Sequence, residues 1–324
     1  MSPPPVPPTL PASMHFIERD WLSCNQVVFF DEDDAGRFAT LVDSGYGKHA
    51  PLTLELVRHV LRSRGVAPDG LRTLINTHLH SDHCGGNALL AREFGCRVLV
   101  PEAEFDKVNR WDETQLTYRG TGQRCERFSA QGVVRVGDEL TLGAARWRVH
   151  AAPGHDPQSV ILHCPQHRLL LSADALWENG FGVIFPELGG DSGFAEQRAV
   201  LELIATLEVD LVIPGHGTPF GDVPAALARA HARLDALSAD LARNARNAIK
   251  VLIKFLLLDE EAIDFDAMVE MLRDATIMDN AAKLMGMTLP EALGWGVREL
   301  ERQTQIRRDG NMLYNREPAL EGTY

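Results

Sequence analysis

An apolar run, L71-R-T-L-I-N76, leads straight into T77-H-L-H-S-D-H-C-G-G86, and this junction constrains the chain more than any other stretch. Three imidazoles and one carboxylate fall between His78 and His83. On an extended segment His78 and His80 point to the same side. Past the strand end the chain turns, which lets Asp82 and His83 face the same space from the other flank. Neutral imidazole is the favoured ligand of zinc and related ions, and carboxylate adds a harder donor. The spacing predicts a metal centre at the end of a strand, one segment serving two adjacent ions, with a sheet holding that end in place.

Three later positions repeat the layout of an apolar strand followed by a tight turn with a donor. They are His155 in the stretch Pro-Gly-His-Asp over 153–156, Asp174 in Leu-Leu-Leu-Ser-Ala-Asp over 169–174, and His216 in Ile-Pro-Gly-His-Gly over 213–217. The remaining histidines, among them His15, His49, His59, His150, His163, His167 and His231, read as packed or surface residues.

The chain has 324 residues, 45% of them hydrophobic, enough for one large domain or a domain with a smaller partner. A net charge of −13 disfavours nucleic acid and anionic membranes as partners. Five cysteines without a C-x-x-C pair argue against a disulfide framework and for a reducing cytoplasm. Residues 1–14 read as a disordered Pro-rich arm, not a secretory signal, and no apolar stretch reaches membrane-spanning length.

Beyond the arm, Q26-V-V-F-F30 and R37-F-A-T-L-V42 flank the acidic turn D31-E-D-D-A-G36 as a hairpin. Helices are expected over 51–64, 86–94 and 194–207, and strands over 97–100, 146–150, 159–163, 168–172 and 210–214. V133-V-R-V136 and L140-T-L142 suggest a hairpin about Gly137 and Asp138. Residues 101–130, with Trp111 and Tyr118, read as surface padding in preference to a lid. This mixture of strands and helices makes 15–222 a layered α/β unit. From 223 to 324 the character is helical, and I306-R-R-D-G-N-M-L-Y314 closes the chain as a hairpin on a D-G turn. This last unit is mostly helical and winged-helix-like.

H78-x-H-x-D-H83 followed by His155, Asp174 and His216 resembles the metallo-β-lactamase superfamily over roughly residues 15–220. The resemblance implies a four-layer αββα sandwich with an added C-terminal domain. It also implies two divalent ions, zinc first, with iron or manganese as alternatives. His78, His80 and His155 would hold one ion, and Asp82, His83 and His216 the other, with Asp174 bridging. Asp43, in L41-V-D-S-G45, matches the early Asp that orients the site.

The chemistry this implies is attack by a metal-activated hydroxide on a carbonyl or phosphoryl centre, with Asp82 also able to shuttle a proton to the leaving group. The expected substrate is a small-molecule ester, thioester or lactone. The alternatives are a single-strand nuclease or phosphodiesterase, and a mononuclear iron sulfur dioxygenase. His80, where redox members carry Glu, favours hydrolysis. Against nuclease action, residues 225–324 carry 13 Lys and Arg but 16 Asp and Glu.

Phe181 and Phe185, beyond Asp174, either wall an acyl pocket or pack a turn. The helical C-terminus resembles that of hydroxyacylglutathione hydrolases. Arg243, Arg246, Lys250 and Lys254 sit there at helical spacing, as solvated charges or as a grip on an anionic substrate. Cys84 reads as a small buried residue starting a helix. A homodimer is left open.

Overall fold

A computed structural model describes residues 10–20 and 22–316. The Pro-rich arm falls mainly outside them, and Pro11–Ser13 already turn into the first strand.

Fourteen strands form three sheets among the described residues. The first sheet joins β1 (Met14–Ile17), β2 (Gln26–Asp33), β3 (Gly36–Val42), β4 (Leu71–Ile75), β5 (Arg97–Pro101) and β6 (Gly132–Val134) in that order. β1 to β3 pair antiparallel, and β3 to β6 pair parallel. The second contains β7 (Glu139–Leu142), β8 (Ala145–Ala151), β9 (Val160–Cys164), β10 (Leu169–Ala173) and β11 (Leu211–Pro214). Its pairs are antiparallel except β10 with β11.

Period-two alternation sorts each strand's side chains between two cores. Val27, Phe29 and Val42 meet Trp147, Val160, Leu162, Leu171 and Ile213 between the sheets. Val28, Phe30, Ala39 and Leu41 face the other way, under helices Ala50–Ser63 and Asn87–Phe94. On the far side Ile161, Leu170 and Val212 pack beneath helices Phe194–Thr206 and Val223–Ala239. Helix, sheet, sheet, helix is therefore the layer order.

The expected hairpin about Gly137 does not form. Val133 pairs with Val100 in the first sheet, whereas Leu140 pairs with Trp147 in the second. Gly137, at φ +91°, is where the chain crosses between the sheets. The tight turn falls instead at Gly143–Ala144, both at φ +59°. Residues 102–130 form short helices whose Val108, Leu116 and Tyr118 join the first sheet's outer core.

Asp240 alone breaks the long helical stretch. It leaves helical geometry at φ −145° and accepts from Ala242 N, so Val223–Ala239 and Leu241–Glu260 are separate helices. The first packs on the second sheet's outer layer. The second belongs to a distinct apolar cluster with helices Phe265–Met271, Thr276–Leu284 and Leu289–Arg302. Glu291 accepts from both Thr288 N and Oγ1, a capping box that starts the last helix. The D-G turn then joins β13 (Ile306–Asp309) to β14 (Met312–Asn315), and β12 (Ala262–Asp264) pairs with β14 from the other side. No helix among the described residues is long and apolar enough to cross a membrane.

Candidate metal centre

Five strands run out on one rim. β3 ends before Asp43, β4 before the His78–His83 segment, β8 before His155, β10 at Asp174 and β11 before His216. The parallel pairs β3/β4 and β10/β11, with two antiparallel steps from β8 to β10, bring these C-terminal ends to the same side. Leu79 enters the core beneath the first sheet, which leaves His78 and His80 facing the rim together. Ser81–Cys84 then makes a single helical turn and swings Asp82 and His83 around.

Backbone geometry at these ends is unusual. Asp43 at φ +58° and Ala173 at φ +45° lie in the left-handed region that non-glycine residues avoid at a cost of roughly 1 kcal/mol or more. A register shift between Leu171 and Ala173 accompanies the second, and it turns Asp174 inward. Two glycines permit close approach. A Cβ on Gly215 would overlap Asp174 Oδ1, and one on Gly182 would overlap His155 Nδ1.

The donors gather in two adjoining groups. His78, His80 and His155 have ring centroids 4.5–5.2 Å apart. His80 Nδ1 lies 2.7 Å from His155 Nε2. Opposite them, His216 Nε2 is 3.0 Å from Asp82 Oδ2, and His83 Nε2 is 3.3 Å from Asp174 Oδ1. Asp174 touches both groups, because its Oδ2 lies 3.3 Å from His155 Nε2. Within each group the donor atoms all lie within 4.8 Å of one another, and every one of these residues is buried.

Hydrogen bonds behind the rings set which nitrogen faces inward. His155 Nδ1 donates to Val183 O at 2.5 Å, and His83 Nδ1 donates to Asp43 Oδ2 at 2.9 Å. Asp43 is itself held by Thr77 N and Oγ1, each at 2.8 Å. His78 Nε2 is buried without a hydrogen-bond partner, an arrangement that calls for a cation. Nitrogen and oxygen donors in two groups sharing one carboxylate fit a pair of divalent ions.

Electrostatics agree with that donor role for the three histidines of the first group and for the two carboxylates. Burial, reinforced by neighbouring imidazoles, drives His78 well below its ordinary value. Burial also brings His80 and His155 down to about 4, so all three rings are neutral at pH 7 with lone pairs available. Burial works upward on Asp82 and Asp174, yet His83 and His216 outweigh it and keep both carboxylates ionised. His83 is pushed down by burial but lifted further by Cys24 and by the carboxylates of Asp174, Asp43 and Asp82, so an ion bound there has to displace its proton.

Phe185 stands against the first group, its ring 5.2 Å from His80 and 5.7 Å from His155. With Leu22, Val183, Val251 and Phe255 it walls a cavity of about 30 Å³ over the cluster. Phe181 lies elsewhere, fully buried beside Arg233. Arg243 and Arg246 face Asp240 near the helix start, and neither lines the cavity over the cluster. Lys250 opens onto a neighbouring cavity, and Lys254 is buried, donating to Gln305 O and Asn315 Oδ1. Cys84 is buried against Tyr118 OH and Leu79 O.

Several neighbours of the site carry no local signal in the sequence. Gln123 lines the cavity and receives Ser81 Oγ at 2.7 Å. Val251 and Phe255 arrive from a helix far along the chain. Trp177 was within reach, since it lies three residues past Asp174; its Nε1 is 3.3 Å from Asp174 Oδ1 and its ring 5.2 Å from His216.

Comparison with known proteins agrees with this architecture. A profile of the metallo-beta-lactamase superfamily matches residues 19–216. A hydroxyacylglutathione hydrolase of Anaeromyxobacter dehalogenans (strain 2CP-C) is 33% identical over 183 residues, 56% of this chain and 58% of that one. The Brucella anthropi hydroxyacylglutathione hydrolase is 30% identical over 129 residues, 40% of this chain and 41% of its own. The chain thus spans about half the length of the curated relatives it matches. Among solved structures, a beta-lactamase domain protein from Burkholderia ambifaria has a TM-score of 0.57 at 22% identity, covering 95% of this chain and 96% of that one. A metallo-beta-lactamase family protein from Thermus thermophilus has a TM-score of 0.55 at 18% identity, covering 95% and 100%. Two sheets sandwiched between helices, with clustered His and Asp at their shared rim and a family match over most of that region, place this chain in the metallo-β-lactamase superfamily.

Proposed function

We propose that this protein is a dinuclear metal-dependent hydrolase of a small thioester, with esters and lactones as related substrates. The observation that carries the reading is the position of Asp174, whose two oxygens face different imidazole groups at 3.3 Å. His78, His80 and His155 would hold one ion, and Asp82, His83 and His216 the other, with Asp174 serving both. The donor set suits zinc, with iron or manganese as alternatives. When bound, such ions lower the pKa of water towards neutrality and polarise a carbonyl oxygen.

The chain's own groups do the rest. Asp43 holds His83 in one tautomer, and Val183 O does the same for His155. Asp82, ionised and at the cavity wall, is placed to accept a proton and pass it to the departing thiolate. Phe185, Val251, Phe255 and Leu22 give the space over the cluster an apolar wall, against which an acyl group would lie. The relatives named hydroxyacylglutathione hydrolase support a thioester over a phosphodiester. So does the acidic balance of the chain. The C-terminal region, 223–324, would complete the pocket through Val251 and Phe255. The same composition suits a cytoplasmic enzyme.

The test is metal quantification on protein purified without chelators, coupled to thiol release from a thioester panel. Two ions per chain and hydrolysis that stops when the ions are stripped are expected. Two bound ions with no thioester, ester or lactone cleaved would overturn the substrate class, and fewer than two would overturn the dinuclear site.

A further inference from the structure

Cys84 closes the single helical turn Ser81–Cys84 and follows His83 directly. Its Sγ lies 3.8 Å from Cys125 Sγ, and both thiols are free. A disulfide holds its sulfurs at about 2.05 Å, so this pair has about 1.8 Å to close.

The two sides of the contact are unequal. Cys84 is fully buried, whereas Cys125 is half-buried between the exposed Arg124 and Glu126. Residues 123–130 belong to no helix or strand. Around Cys125 the ties to the rest of the chain are exposed ion pairs, Arg124 with Glu260 and Glu126 with Arg92, which hold a segment weakly. The turn opposite is held from several directions. Cys24 N donates to Asp82 O at 3.1 Å, Ser44 N to His83 O at 2.8 Å, and Ser81 Oγ to Gln123 Oε1 at 2.7 Å. A Cβ on Gly85 would overlap Gly47 N, so the backbone just past Cys84 is pressed against a neighbour as well. Closure therefore carries Cys125 towards Cys84 and leaves Asp82 and His83 in place. The Cys84 proton is not needed to satisfy a buried group. Its Sγ lies 3.4 Å from Leu79 O, but Tyr118 OH already donates to that oxygen at 2.7 Å.

We infer that Cys84 and Cys125 form a reversible disulfide under mild oxidants, Cys125 being the sulfur that meets the oxidant and Cys84 the one that resolves it. Cys125 Sγ attacks one oxygen of hydrogen peroxide, the O–O bond breaks, and a sulfenic acid and water result. Cys84 Sγ then attacks the Cys125 sulfur, the S–O bond breaks, and a second water leaves with the Cys84 proton. The two thiols give up two electrons, which reduce the peroxide. The bridge fastens the loop that carries Gln123 to the turn that carries Asp82 and His83. A reducing compartment keeps the pair open, and a rise in oxidant closes it. None of this depends on what the metal centre hydrolyses.

The test exposes the full-length, zinc-loaded protein to hydrogen peroxide, alkylates the remaining thiols and maps the digest by mass spectrometry. The expected product is one cross-linked peptide pair joining Cys84 to Cys125, reopened by dithiothreitol. Zinc content stays that of the reduced protein, and the melting temperature rises by about 5 °C. Cys125→Ser forms no bridge, and peroxide leaves its melting temperature unchanged. In Cys84→Ala the Cys125 sulfur goes on to sulfinic acid, which dithiothreitol does not reverse. Cys84 is buried, so Cys125→Ser keeps the inference testable should Cys84→Ala fail to fold. A wild type that keeps all five thiols under millimolar peroxide, a bridge to any other cysteine, or sulfinic acid forming on Cys125 as readily as in Cys84→Ala would each overturn the inference. Loss of zinc on bridging would overturn the claim that the metal-bearing turn stays in place.

Discussion

Replacing Gly215 with alanine asks whether Asp174 must sit where it does. The backbone at Gly215 lies outside the left-handed region, so alanine carries no conformational penalty there. The added methyl group would enter roughly 0.7 Å inside the closest approach that real side chains make to Asp174 Oδ1. On its other side the methyl meets the backbone C and O of Ala173 at 3.0 Å. Ala173 cannot yield, because its carbonyl accepts from Gly215 N at 2.7 Å. The carboxylate must therefore retreat. Metal–ligand distances tolerate only about 0.2 Å, and misplacement of the order of 1 Å costs about 100-fold in rate. The expected result is a fall of about 100-fold in kcat/KM with metal content dropping from two ions towards one. Overpacking should lower stability by about 1–3 kcal/mol. Metal analysis, thioester kinetics and a melting curve read all three. Gly189→Ala is the control, since its Cβ would make an ordinary 3.6 Å contact with Ile277 Cδ1. A Gly215→Ala protein that keeps two ions and hydrolyses within twofold of wild type would refute the reasoning.

Asp43→Asn removes the carboxylate that receives His83 Nδ1, so metal affinity should fall by about 10- to 100-fold, measured by chelator competition. In metal-free protein His80 and His155 titrate at about 4 when folded, against an ordinary 6.5. The unfolded chain therefore takes up protons first as pH falls. Stability should decline from about pH 6.5 to about pH 4, by up to about 1.4 kcal/mol per unit for each ring. His83, raised when folded, contributes stability below pH 6.5 that is lost only at higher pH, so it does not mask this window. Denaturant unfolding at pH 7, 6 and 5 checks the sign, and a flat profile would contradict it. Lys254→Met strips the donor that satisfies Gln305 O, Asn315 Oδ1 and Arg316 O, so stability should fall by about 1–3 kcal/mol while metal content stays at the wild-type level.

The donor cluster was legible because each member follows an apolar strand in a short local pattern, and the sandwich brings those strand ends to one rim. The alternation of Val27 to Phe30 and the run Leu169–Leu171 likewise identified strands before their partners were known. What escaped was pairing decided at a distance. Val133 and Leu140 look like two arms of a hairpin, yet Gly137 carries the chain to the other sheet, because each strand finds its partner far away in sequence. The change of character near residue 223 marks the start of a helix, whereas the shift from one apolar core to another comes at Asp240. Val251 and Phe255 carry nothing in their neighbourhoods that points to a cavity; only the docking of their helix puts them there. Phe181 and Phe185, equivalent on paper, part company because the intervening loop turns one towards Arg233 and the other towards His80.

The helix Leu241–Glu260 covers the rim with Val251 and Phe255 while its opposite face is packed among the C-terminal helices, and Tyr46 OH clasps it through Phe255 O at 3.2 Å. The cavity's ceiling and its floor are thus made by different elements, a C-terminal helix above and the strand ends below. Substitutions along that ceiling can reshape what enters the cavity without displacing any strand end that carries a donor. Divergence in substrate is then open to this scaffold at little cost to the chemistry beneath.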